Sequence, residues 1–398
     1  MTRALIAVVV AALAATTLLV GGAVRGSDDA AALPGSKQLV RAGLQEQQLA
    51  RRSGEPEHYT RSERALRQAL DRDPNDLHAL IGLASLANTR HHFREGLALA
   101  RRVRWLSPDT ALAYGVMGDA LIELGRYEAG FRAYDRMVAL KPSIAAYARV
   151  AQARASLGDA AGARRAIELA LDAAVDPQTR AWAYVELGRL ERSARRLGSA
   201  ARRFRQALAV SPDNAIALEA LGGTEAARGN LVRAIGLQQR AVALRFSPQF
   251  AASLGDLYAV TGQRQAARRA YALVADQDRR LAANGVDTDL DRAMFQLEHG
   301  IDLSGSLALA RRGYAKRPGI EANEVLSWAL IRNGRCTEAI PYSDAALRIP
   351  DGHRYFHRAM LERCLGREGR AQRLFHQALA TDPNFSSIWA SYARRQLR

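Results

Sequence analysis

The chain has 398 residues, 48% hydrophobic and 24% charged, with a net charge of +17. That apolar content excludes an intrinsically disordered chain, and two cysteines exclude a disulfide-rich scaffold. All but three of the 57 basic residues are arginine, the lysines being Lys37, Lys141 and Lys316, and the excess is scattered rather than blocked.

Residues 1–24 stand apart. Arg3 precedes an uncharged run from Ala4 to Val24, rich in Ala, Val and Leu. Such a run is long enough to span ~30 Å of hydrocarbon as a helix. Thr16, Thr17, Gly21 and Gly22 weaken it, and Ala23 offers a small-residue cleavage point, so an anchor and a cleaved signal both fit. The balance favours the anchor, because the run exceeds the usual length of a cleaved signal. The positive-inside tendency then puts the amino terminus in the cytoplasm and the rest outside. The expected location is the cell membrane with an extracytoplasmic body, or secretion if the leader is removed. Residues 25–37 read as a short linker.

From residue 38 onward one unit repeats. Prolines at 74, 108, 142, 177 and 212 each close an apolar helical pattern, 34 or 35 residues apart; Pro248, Pro318 and Pro383 continue the series. Proline ends a helix and restricts the residue before it. Midway between prolines Gly125, Gly158, Gly229, Gly262, Gly334 and Gly366 mark a second break, where a left-handed turn closes a helix. Each unit is therefore helix, glycine turn, helix, proline turn. Inside the units Gly118, Gly188, Gly222 and Gly255 recur in the first helix. Ala163, Ala200, Ala234, Ala267, Ala339 and Ala371 recur in the second. A repeated glycine inside a helix, at ~1 kcal/mol relative to alanine, signals close helix approach. Large residues follow four places after the small ones, at Ile167, Phe204, Tyr271 and Phe375.

This pattern resembles the tetratricopeptide repeat family. Ala183–Pro212 is the fullest match, with Tyr184, Leu187, Gly188, Ala200, Phe204, Ala207 and Pro212 on the family pattern. The resemblance covers about nine to ten units over 38–384, and Phe385–Leu397 reads as a capping helix within 385–398. It implies an all-α, right-handed superhelix of antiparallel helix pairs, inner helices lining a concave groove. The first unit, with SGEPEHYT at 53–60, the unit at 287–318 and the long segment 270–287 depart from the pattern.

No stretch remains for a catalytic domain, and no phosphate loop, nucleophile elbow, H-E-x-x-H or C-x-x-C is present. The expectation is a non-enzymatic protein-protein interaction scaffold without cofactor or metal, taking a protein or peptide partner in the groove. Residues 4–24 meet the membrane, and no nucleic acid is expected. The groove candidates are Phe295, Trp328, Phe356, His357 and Met360, flanked by Glu298, Glu321, Glu324, Arg332 and Arg363. An aromatic, Met-containing stripe with charged edges suits a peptide; the alternative is that the rings pack between neighbouring helices. In the middle units the concave positions are smaller or polar: Gln152, Arg189, Gly223 and Asp256. His353 and His357 stand four apart on one helix, but sequence supplies no third ligand beside them. Cys336 starts the outer helix of one unit and Cys364 ends the inner helix of the next, which places them at one rim, a possible disulfide. The second functional reading is binding of an acidic cell-surface polymer by the arginine-rich surface.

Overall fold

The computed structural model describes residues 35–398. The anchor or signal at 1–24 and most of the linker lie outside the described residues. Every regular element among the described residues is helical, 21 helices in all. Ten antiparallel pairs follow one another: α1 Ser36–Ser53 with α2 Glu57–Arg72, α3 Leu77–Thr89 with α4 Phe93–Leu106, α5 Ala111–Glu123 with α6 Tyr127–Leu140, α7 Ile144–Ser156 with α8 Ala160–Asp172, and α9 Pro177–Ser193 with α10 Leu197–Val210. Then come α11 Ala215–Ala227 with α12 Leu231–Leu244, α13 Pro248–Val260 with α14 Arg264–Ala283, α15 Asp289–His299 with α16 Leu303–Lys316, α17 Ile320–Arg332 with α18 Cys336–Ala346, and α19 Gly352–Cys364 with α20 Glu368–Thr381. α21, Trp389–Gln396, closes the stack. Among the described residues no helix is long and apolar enough to cross a membrane.

The local chemistry explains the punctuation. The six turn glycines have φ between +73° and +85°, in the left-handed region. His91 and Arg195 hold the same turn position in two units at φ +64° and +62°. The proline turns do more than stop a helix, because they also start the next one. Asp76, Ser143, Asp176, Asn214, Ser247 and Asp351 each accept a backbone N–H of the following inner helix. In the long segment α14 extends to 20 residues, and Gly300 with Asp302 forms the irregular turn before α16.

Packing follows the small residues. A Cβ added at Gly188 would stand 2.5 Å from Phe204 of the partner helix, and one at Gly255 would stand 2.4 Å from Tyr271. The large residue of the outer helix therefore seats on the small residue of the inner helix. Most inner helices also pack on the outer helix of the preceding unit, α15 on α14 being the exception, so a series of apolar clusters runs along the stack.

The solenoid coils far enough to touch itself. The Phe246 N–H donates to the Ser53 carbonyl at 2.8 Å, and the Asp287 N–H to the Arg90 carbonyl at 2.9 Å. The Ile320 N–H donates to the Tyr127 hydroxyl at 2.8 Å, and Arg195 to the Ala380 carbonyl at 2.8 Å. Glu57 and Arg280 pair at 2.9 Å. Later units thus sit directly on earlier ones, and part of the interior expected to be an open groove is a closed seam.

Candidate functional site

The C-terminal stripe comes from α15, α17 and α19. Trp328 and Phe356 are 0% exposed and His357 is 2% exposed. The expectation that these three face a ligand is corrected: they are core. The cause is the segment after α20. Phe385 lies 5.3 Å from Phe356, ring centre to ring centre, and Trp389 lies 5.8 Å from Trp328 and 5.5 Å from Phe356. The capping helix covers the inner face as well as the end of the stack. Phe295 is half-buried against Tyr271 and His299, and Met360 is half-buried at the edge of the C-terminal core.

Beneath the rings lies a buried polar layer. His357 stacks on Trp328 at 4.4 Å. Its Nε2 is 3.5 Å from Glu298 and its Nδ1 3.6 Å from Glu324. Arg354 pairs with Glu324 at 2.9 Å and with Asp351 at 3.1 Å. Burial disfavours the Arg354 charge, yet Glu324 and Asp351 outweigh it and raise its pKa. Burial lowers His353 from its usual 6.5 to about 3. Sequence had Glu298 and Glu324 flanking the stripe, and the structure brings both, from two different helices, to His357. Among the described residues no three His, Cys, Asp or Glu side chains are arranged to hold a metal ion.

The middle concave positions divide. Arg189 pairs with Glu186 at 2.7 Å, and Gln152 and Gly223 are half-buried. Asp256 is 1% exposed and accepts from the Tyr271 hydroxyl at 3.0 Å and from His299 Nε2 at 2.8 Å. It is part of the packing rather than a groove contact.

A cavity of about 70 Å³ opens where two coils meet, between α5–α7 and α15–α19. Tyr127, Leu157, Ile320 and Ile349 supply apolar surface, and Glu123, Glu321, Arg317 and Arg354 supply charge. Arg317 reaches Glu123 at 3.6 Å and Asp291 at 3.5 Å. Burial, with Asp291, Glu123 and Glu324 adding repulsion against the pull of Arg317, raises Glu321 from its usual 4.5 to about 8. Of these residues only Glu321 and Glu324 were visible as groove flanks in the sequence. Glu123 and Arg317 meet across 194 positions, a distance no local pattern encodes.

The two cysteines are bonded, Cα atoms 6.1 Å apart, joining the start of α18 to the end of α19. Residues 180–249 match the tetratricopeptide-repeat family model. That stretch carries tetratricopeptide repeats. The same helix-pair plan extends through all ten units on either side of that stretch. Among solved tetratricopeptide-like folds, the human IFIT1 dimer with PPP-AAAA is 16% identical, with 79% of this chain and 73% of that chain covered and a TM-score of 0.52. The same dimer with m7Gppp-AAAA is 15% identical, covering 79% and 72%, also at 0.52. The APC/C hetero-tetramer Cut9-Hcn1 is 16% identical, covering 92% and 67%, at 0.45. No curated protein matches the chain. At these identities the likeness shows the tetratricopeptide fold alone.

Proposed function

We propose that the protein is a non-enzymatic interaction scaffold, exported and held at the cell membrane by residues 4–24, that takes a protein or peptide partner at the seam between its coils. The observation that carries this reading is the cavity at 122–127, 156–157 and 317–354, set where later units meet earlier ones. At about 70 Å³ it accommodates one anchoring side chain of a partner rather than a free metabolite. Its mixture of two arginines and two glutamates around aliphatic walls suits a polar-edged peptide contact.

The test is site-specific photo-crosslinking of the full chain in intact cells. A probe at Ile349, in the cavity wall, is expected to capture a recurrent partner in the membrane fraction. A probe at Val175, 92% exposed, serves as the reference surface. Equal capture from both positions removes the seam as the site, and recovery of the chain in the soluble cytoplasm removes the tether.

A further inference from the structure

Three consecutive outer helices are poor in acidic residues. Neither α10 nor α12 contains an acidic residue, and α14 has none before Asp276. They expose Arg202, Arg233, Arg240, Arg264, Arg268 and Arg269. Arg202 bonds to the Ser199 hydroxyl, and none of the six forms an ion pair among the described residues, although Arg233 is near enough to Glu225 to help lower its pKa. Unpaired arginines also occur on α4, where Arg94, Arg101, Arg102 and Arg104 are exposed without an ion pair among the described residues, but α16 neutralises its cations. On α16, Arg311 pairs with Glu338 and Arg312 with Asp289, both at 2.9 Å, and Lys316 with Asp287 at 2.6 Å. On α10, Arg205 is neutralised by the buried Glu225 at 2.8 Å, so the uncompensated charge is confined to the outermost positions.

We infer that α10, α12 and α14 form a docking surface for an anionic lipid bilayer. The charges are spread one to three per helix over the outside of the coil. α12 buries only Ala234, Gln238 and Ala241, so most of its circumference faces solvent. The ring side chains of these helices, Phe204 and Tyr271, pack inward on Gly188 and Gly255 and are withheld from base stacking, which disfavours single-stranded nucleic acid. Val232, 88% exposed, adjoins Arg233 and adds an apolar contact at the same surface. Dispersed arginines on a broad face match dispersed phosphodiester headgroups, and the attraction fades within a Debye length.

Sedimentation of the full chain with phosphatidylcholine vesicles, with and without about a third phosphatidylglycerol, tests this at low and ~0.5 M salt. The neutral vesicles subtract any insertion by residues 4–24. Each arginine near such a surface is worth about a fivefold change in partition. Arg233→Gln, Arg268→Gln and Arg269→Gln together are therefore expected to lower the anionic-specific, salt-sensitive binding about a hundredfold. Arg132→Gln, Arg370→Gln and Arg373→Gln, an equal charge change on other exposed helix faces, should leave most of it. Equal losses in the two triple variants overturn the inference. So does wild-type binding that ignores vesicle charge, or retention on soluble polyphosphate without binding to anionic vesicles.

Discussion

Gly188 shows how one missing methyl sets a helix spacing. Phe204 occupies the space a side chain there would need, its Cε1 2.5 Å from the position of an added Cβ. Alanine would relieve up to ~1 kcal/mol of helix-propensity penalty. Overpacking against a fully buried ring costs about 1–3 kcal/mol, and the steric effect wins. Gly188→Ala is expected to lower stability by about 1–2 kcal/mol, read from the denaturant midpoint. Unchanged or raised stability would show that the pair separates freely. The glycine and the ring were both legible in sequence, and so was the need for close approach. Their pairing across two helices was not, since sequence related Phe204 only to the small residue four places before it on its own helix.

At the scale of elements, the turns were the most readable part. Proline and glycine act through their own backbone chemistry, so 34- and 35-residue spacings translate directly into helix ends. The helix pairs then place Cys336 and Cys364 at one rim, 28 residues apart in sequence. Closing a loop of that size restricts the unfolded chain by about 3–4 kcal/mol. Reduction, or Cys364→Ser, is expected to destabilise the C-terminal units by that order, measured as a lower unfolding midpoint in reductant. No shift on reduction would mean the bridge constrains nothing. The aromatic stripe marks where element-level reading stopped. Trp328, Phe356 and His357 recur on the inner faces as a groove lining would, but α21 bends over them and makes them core.

At the scale of the molecule, coil-on-coil contact gathers Glu123, Asp291, Glu321 and Arg317 into one poorly hydrated seam. Glu321 is held at about 8, above its usual 4.5. A carboxyl raised in the folded state favours folding below its unfolded pKa, and this contribution is lost as pH rises through the folded value. Wild type should therefore lose stability between about pH 4.5 and 8 relative to Glu321→Gln. Urea midpoints at about pH 5, 7 and 9 check the sign, with the variant the more stable at the alkaline end and the difference shrinking toward acid. A difference that grows toward acid would show the carboxylate to be held ionised instead.

The sequence by itself determined the helical class, the length and punctuation of the repeat, and the recurrence of small and large positions, because each rests on interactions within one unit or between neighbours. Only the tertiary structure decided which inner surfaces stay open. That depends on the small rotation from unit to unit, which accumulates over about 190 residues until Ser53 meets Phe246 and Tyr127 meets Ile320. No single repeat carries that sum, so the seam, its cavity and its displaced titrations appear only when the coil is complete.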